Sequence, residues 1–219
     1  MTVPVAAALL ALSVGSTAYG QSDAETRCLD PNQAARERIE VCTQAIGAAD
    51  KSDSERLARL HNSRGNALFG TGAYDDAAAE YSRSMVLWPN LAEAYNNRCY
   101  AYAHTDHPQR GLADCDAAVR RLPNNPATLD SRGFARFKAG DYPGALSDLT
   151  IVLERDPNFL DALRHRGMVL DRMGRTADAL VDYRAALGLT PGDGLLAAEI
   201  DRLERSGRAT VAAQTKQAK

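Results

Sequence analysis

The chain has no excess of basic charge: 26 Lys and Arg stand against 28 Asp and Glu, for a net charge of −2. A nucleic-acid binder needs a positive field over much of its surface, so that class of partner is set aside. Past residue 20, no stretch is apolar enough to cross a bilayer. There is no glycine-rich phosphate loop behind a strand, and no Ser or Cys nucleophile with a His nearby, so nothing points to an enzyme or a cofactor. Cysteine is scarce: Cys28, Cys42, Cys99 and Cys115 are an even set that permits three pairings. What is present, 45% apolar and 25% charged residues among 219, is the composition of a folded soluble protein of one or two domains.

The first twenty residues differ from the rest. VPVAAALLALSV is an uninterrupted apolar run, followed by GSTAYG, with Ala18 and Gly20 at the −3 and −1 places of a cut after Gly20. This reads as a secretory leader over 1–20, although no Lys or Arg precedes the run. The alternative is a membrane anchor through residues 3–18, but that run falls short of the roughly 20 residues a span needs. Glu25, Thr26 and Arg27 ahead of Cys28 make no lipid-attachment box. The expected location is therefore periplasmic or secreted, where disulfides are permitted.

The remainder is organised by a period of 34 residues. Gly65, Cys99, Gly133 and Gly167 recur at that interval, and so do Pro89, Pro123, Pro157 and Pro191. Ala77, Gly111, Ala145 and Ala179 form a third series, Ser84, Ala118, Val152 and Ala186 a fourth, and Tyr81, Cys115, Leu149 and Tyr183 a fifth. Four units result, 58–91, 92–125, 126–159 and 160–193. In each, two apolar-periodic segments joined by a short turn such as GTGAY, KAGDY or RMGRT make an antiparallel helical hairpin. Small residues at unit positions 8, 20 and 27 let the two helices approach, and the closing proline stops the second. Pro108 and Pro143 fall in the first turn of a second helix, where a missing N–H costs little. One hairpin cannot bury its own apolar face, so the units must stack.

This period and residue pattern resemble the tetratricopeptide repeat (TPR) over residues 58–193. The resemblance implies an all-α fold, a right-handed superhelical solenoid of four hairpins. Residues 21–57 read as an N-terminal segment with a half-repeat helix, ARERIEVCTQAI, in which Cys42 takes the place of Tyr81. LLAAEIDRLERSG reads as a capping helix within 194–207, followed by a disordered tail over 208–219.

Position 7, usually a buried leucine in the family, is Arg64, Arg98, Arg132 and Arg166 in the four units. A charge at a half-buried place requires a partner. Position 23 is acidic every time, as Glu80, Asp114, Asp148 and Asp182. Each guanidinium is expected to pair with such a carboxylate, in its own hairpin or the preceding one; Arg98 has both Asp114 and Glu80 open to it.

Cys99, His104, His107 and Cys115 lie close in sequence and invite a zinc reading. Strung along a hairpin, they do not converge on one metal at ~2.0–2.3 Å, so no metal is expected. His104, Asp106 and His107 read as solvated turn residues. Cys99 and Cys115 are either bonded across the hairpin or two buried thiols, since helix axes lie ~8–10 Å apart while a disulfide wants Cα atoms within ~4.4–6.8 Å. Cys28 and Cys42 are the expected disulfide, stapling a segment with no first helix onto the half-repeat and stabilising the fold by ~3 kcal/mol in the chain-entropy model.

The family's geometry puts positions 2, 5, 9, 12 and 13 in a concave groove. These are Arg59, Asn62, Asn66 and Phe69, then Glu93, Asn96, Tyr100 and His104. The third and fourth units contribute Asp130, Phe134, Phe137 and Lys138, then Arg164, Met168, Asp171 and Arg172. Adaptable polar groups around aromatic anchors suit an extended peptide or a partner's helix. The chaperone-tail carboxylate clamp of the family is not matched: Asn66 and Asn97 are present, but Asn62, Ala127 and Ser131 stand where its cations belong. The expected function is a non-catalytic scaffold of the bacterial cell envelope binding proteins or peptides, the alternative a periplasmic holdase of broad specificity using the same groove.

Overall fold

The computed structural model describes the backbone of residues 16–217 and the side chains of residues 23–206. The described elements are helices: α1 (Ser16–Leu29) with α2 (Ala35–Ala48), then α3 (Ser54–Gly70) with α4 (Tyr74–Leu87). Next come α5 (Ala92–Ala103) with α6 (Leu112–Arg121), α7 (Pro126–Ala139) with α8 (Tyr142–Arg155), and α9 (Leu160–Arg172) with α10 (Thr176–Leu189). α11 (Gly194–Gln217) closes the array. Successive hairpins stack, so the molecule is a helical solenoid.

Three ends differ from the sequence reading. The half-repeat is a whole hairpin, because α1 packs on α2 and reaches α3. Most of the expected leader lies outside the described residues, and its expected cut after Gly20 falls inside α1. α3 starts at Ser54, ahead of the expected boundary at 58, because the Asp53 carboxylate caps it by accepting from the Arg56 backbone N–H at 3.1 Å. α11 carries on to Gln217 through the stretch expected to be a disordered tail.

Turn chemistry explains one irregular hairpin. Gly72, Gly140 and Gly174 share one repeat position and all take the left-handed conformation, with φ of 82°, 89° and 74°. The second unit has Asp106 there, which does not adopt positive φ. Its chain instead enters the second helix through a 3₁₀ turn at Pro108–Gly111, which leaves α6 short.

The helices of a hairpin cross most closely between positions 8 and 24. A Cβ on Gly65 would lie 2.5 Å from the Tyr81 ring, one on Gly133 2.8 Å from Leu149, and one on Gly167 2.6 Å from the Tyr183 ring. In the second unit the same crossing is the Cys99–Cys115 disulfide, with Cα atoms 5.2 Å apart. In the first hairpin it is Cys28–Cys42, at 4.7 Å. General interaxial spacing therefore does not apply at this point, and Cys99 and Cys115 are not free thiols.

The arginine series staples neighbouring hairpins. Arg98 donates from Nε and Nη2 to Asp114 at 2.7 and 2.8 Å, and from Nη1 to Ser82 of the preceding hairpin at 2.9 Å. Arg132 holds Asp148 at 2.9 and 2.7 Å and reaches back to Asp116 at 3.1 Å. Arg166 holds Asp182 at 2.7 Å through both nitrogens. Arg64 donates to Glu80 at 2.9 Å and reaches back to Thr43 at 3.2 Å. Each position-23 carboxylate is held by the arginine of its own hairpin, and Arg98 does not use Glu80; Arg132 alone adds a carboxylate of the preceding hairpin, Asp116. All four carboxylates are buried; a bidentate fork supplies the opposing charge to Asp114, Asp148 and Asp182, while both Arg64 nitrogens meet one oxygen of Glu80, which His61 and Arg83 also hold.

Candidate functional site

Which helices touch sets the curvature. α3 meets α5, α5 meets α7, and α7 meets α9, whereas among the described residues α4, α6, α8 and α10 bring no Cα atoms within 8 Å of one another. The first helices thus take the tighter, inner curve, and the groove positions lie on them.

A strip of rings runs along that wall. Phe69 lies 5.1 Å from Tyr74 and 5.4 Å from Tyr100, measured between ring centroids. Tyr100 lies 5.4 Å from Phe134, which stacks on His165 at 4.3 Å. Phe137 extends the strip to Tyr142 at 5.9 Å. Aromatic pairs in this range favour tilted and edge contacts and stiffen the surface they form. His104 packs among Phe69, Tyr74, Tyr100 and Phe134, so it is not the solvated turn residue the sequence suggested. Burial lowers its pKa, helped by the charges of Lys138 and His165. Burial likewise pushes the Tyr100 phenol up to about 12.

Groove residues chosen from the repeat register separate into wall and surface. Phe134 and Phe137 are 5% and 9% exposed, so they build the wall rather than project from it. Asp130 is buried too, its Oδ1 2.9 Å from His165 Nδ1. Phe69, Tyr74, Tyr100 and Met168 remain half-buried. Asn97 donates to Asn62 at 3.1 Å and to Asn66 at 3.0 Å, and Asn66 also accepts from the Tyr81 hydroxyl at 2.9 Å. Asn96 Oδ1 and His104 Nε2 are buried without a protein partner. Arg164 is tied to Asp193.

A hollow flanks each end of the strip. At the N-terminal end, about 780 Å³ is lined by Arg59, Asn62, Asn66 and Glu93 together with Arg38, Trp88 and Arg121, which the register missed. At the C-terminal end, about 600 Å³ is lined by Phe137, Lys138, Met168, Asp171 and Arg172, with Glu199 and Arg202 from α11. The missed residues come from second helices (Arg38 in α2, Arg121 at the end of α6), from the turn at Trp88 and from the capping helix, places a first-helix register does not visit. Tyr74 and Tyr142, also missed, stand 68 residues apart, two whole periods, which was a readable signal.

The tetratricopeptide repeat family model matches residues 62–126 and 132–194. The chain belongs to the tetratricopeptide repeat family. Sperm-associated antigen 1 of Rattus norvegicus is 31% identical over 127 residues, 58% of this chain and 14% of that protein. The chain spans between 14% and 39% of the length of the first curated relatives it matches. Among solved structures, MamA from Desulfovibrio magneticus RS-1 superposes with a TM-score of 0.64 at 18% identity, covering 82% of this chain and 98% of that one. YrrB, described as a TPR protein with an unusual peptide-binding site, superposes with a TM-score of 0.58 at 17% identity, covering 85% of this chain and all of its own. These likenesses concern the fold. The family match carries the repeat fold, and no catalytic family is indicated. Among the described residues no cluster of three or more His, Cys, Asp or Glu is arranged to hold a metal, and no helix is long and apolar enough to cross a membrane.

Proposed function

We propose that this TPR scaffold is an exported adaptor that binds an extended peptide segment of a partner protein along its inner wall. One observation carries the reading: the strip from Phe69 through Tyr100 to Phe134 crosses three hairpins as one surface of touching rings. Rigid half-exposed rings bury large area at small conformational cost. Export is supported by the apolar run at residues 3–14 and by two disulfides, which persist in oxidising compartments.

The test is capture from a cell-envelope extract by the full chain beside Phe69→Ala/Tyr74→Ala, with thermal melting to match the folded fractions. Phe134 is unsuitable because its removal from the buried wall unfolds the hairpin. Wild type retains a small set of proteins that the variant releases. Equal retention of the same proteins by both refutes the groove. Release of a broad, unselective set favours the holdase over the adaptor.

A further inference from the structure

The N-terminal hollow is lopsided in charge: Arg38, Arg59 and Arg121 face Glu93 alone. Arg38 occupies the α2 place that corresponds to Ala77, Gly111, Ala145 and Ala179 in the other hairpins, and it is 9% exposed. Its Nε donates to the Cys28 carbonyl at 2.9 Å and its Nη2 to Ser63 Oγ at 2.7 Å. Ser63 Oγ itself donates to the same carbonyl. These are neutral acceptors. No described carboxylate lies within hydrogen-bond distance of Arg38, and burial pulls its pKa down while Asp30 and Tyr81 oppose at longer range.

Helix capping accounts for part of this arrangement, because the Cys28 carbonyl sits at the C-terminus of α1, where a cation is favoured. Capping says nothing of the other two arginines. Arg121 is exposed, lies 4.1 Å over the Tyr95 ring, and gives its N–H groups to the main-chain carbonyls of Ala117 and Pro89. Arg59 lies 5.2 Å over Trp88, with Glu55 as its carboxylate at 2.9 Å. Toward the C-terminal end Arg164 meets Asp193 and Arg202 meets both Asp171 and Glu199, while Lys138 and Arg172, without an ion pair among the described residues, are exposed to water. A buried cation in a neutral cage is unfavourable unless an anion completes it.

We propose that this hollow receives Asp or Glu side chains of the peptide, so that the groove prefers an acidic segment laid with its charge at the N-terminal end of the wall. The inference rests on the groove reading above. Continuity supports it, since Asn66 lines the hollow and Phe69, on the same helix, begins the aromatic strip. A peptide also suits the other lining groups better than a free anion does. Asn62 and Asn66 offer amides to a main chain, and Trp88 and Leu91 offer an apolar wall. The C-terminal hollow differs in burial: its cations Lys138, Arg172 and Arg202 are all exposed, and two carboxylates, Asp171 and Glu199, line it with them.

The probe is a randomised synthetic peptide library with blocked termini, passed over the immobilised full chain and read by mass spectrometry. Wild type enriches Asp and Glu among retained peptides, and Arg59→Gln/Arg121→Gln loses roughly fivefold of that enrichment while still retaining peptides. Trp88 is the chain's one tryptophan, so retained acidic peptides also change its fluorescence. Both substituted arginines are exposed, so the variant keeps its fold; Arg38→Gln serves as a second variant where melting shows it folded. Retention without acidic enrichment, or equal enrichment by the variant, overturns the acidic preference and leaves the groove standing. Retention of no peptide overturns both readings. Release of acidic peptides by inorganic phosphate, but not by chloride at matched ionic strength, overturns the peptide assignment in favour of a free-anion site.

Discussion

Arg98→Ala isolates the arginine staple in its simplest copy. Asp114, whose side chain is 9% exposed, accepts from Arg98 at both oxygens and has no other cation among its described contacts. Removing one partner of a buried pair costs about 3–5 kcal/mol, because the other charge stays buried and uncompensated. Arg98 is itself 23% exposed, so water enters when it is truncated. The loss is therefore placed at the lower end, about 3 kcal/mol. Arg132→Ala supplies the contrast. Asp148 is more deeply buried, at 3%, yet keeps Arg136 at 2.7 Å after Arg132 is gone. Burial alone ranks Arg132→Ala as the worse change, whereas partner count ranks Arg98→Ala as the worse. The second ranking is expected, with Arg132→Ala costing about half as much, ~1.5 kcal/mol. Urea denaturation followed by circular dichroism reads both, provided the slopes match the parent's. Asp114→Asn added to Arg98→Ala recovers most of the loss by removing the stranded charge. Equal losses for the two arginines, or no recovery with Asp114→Asn, refute the reasoning.

The hairpin crossing predicts that Gly167→Ala destabilises by about 1–3 kcal/mol, since its Cβ meets the buried Tyr183 ring at 2.6 Å. Gly47→Ala in α2, with nothing within 4 Å, serves as the opposite control and gains about 0.5–1 kcal/mol; equal melting temperatures for the two contradict the close approach. Two of the less exposed groups contribute to the acid side of the stability curve. Burial acts to raise the Glu80 pKa, but hydrogen bonds from His61 and Arg64 and the Arg64 charge outweigh it, so the pKa falls below the ordinary 4.5. His104 is lowered from 6.5 by burial and by Lys138 and His165. Both folded values lie below the unfolded ones, so each contribution is whole above the unfolded pKa and is lost as pH falls through the folded value. Melting across pH with Glu80→Gln and His104→Leu shows a flattened acid limb for the first and a flattened slope below 6.5 for the second; parental slopes in both exclude the assignments.

The repeat was legible because its phase is written in residues with hard steric meaning: a glycine opposite a ring, and a proline two residues past each second helix. α1 escaped because STAYGQSDAETRCL has little apolar periodicity and overlaps the leader-like run. Its partner position was still available. Cys42 aligns with Tyr81, so the crossing rule asks for a small residue opposite it, and Cys28 answers, 14 residues upstream, where the Cys99–Cys115 pair is separated by 16. Cys99 and Cys115 stayed ambiguous only because an average helix separation was applied at the one point where the other copies bring helices closest. The groove was harder to read. Whether Phe134 projects or packs depends on Tyr100 and His165, which belong to the hairpins on either side. A register within one unit does not contain that information.

One crossing therefore carries three chemical solutions: glycine against tyrosine, glycine against leucine, and a disulfide. Their order has mechanical consequences. In a stacked array each hairpin is held by its neighbours, so opening starts at an end and spreads inward. The Cys28–Cys42 bond sits in the terminal hairpin and Cys99–Cys115 in the third, so covalent links bracket the α3–α4 hairpin. In the chain-entropy model each loop contributes about 3 kcal/mol. The bracketed hairpin supplies Asn62, Asn66 and Trp88 to the charged hollow, and Phe69 and Tyr74 to the aromatic strip. At the other end α11 is held by the apolar contacts of Leu196, Ile200 and Leu203 and by Arg202 bridging to Asp171. The Cys28–Cys42 link thus closes the hairpin in which Arg38 is buried among neutral acceptors, and it opposes the parting of α1 and α2 that would let water reach that guanidinium.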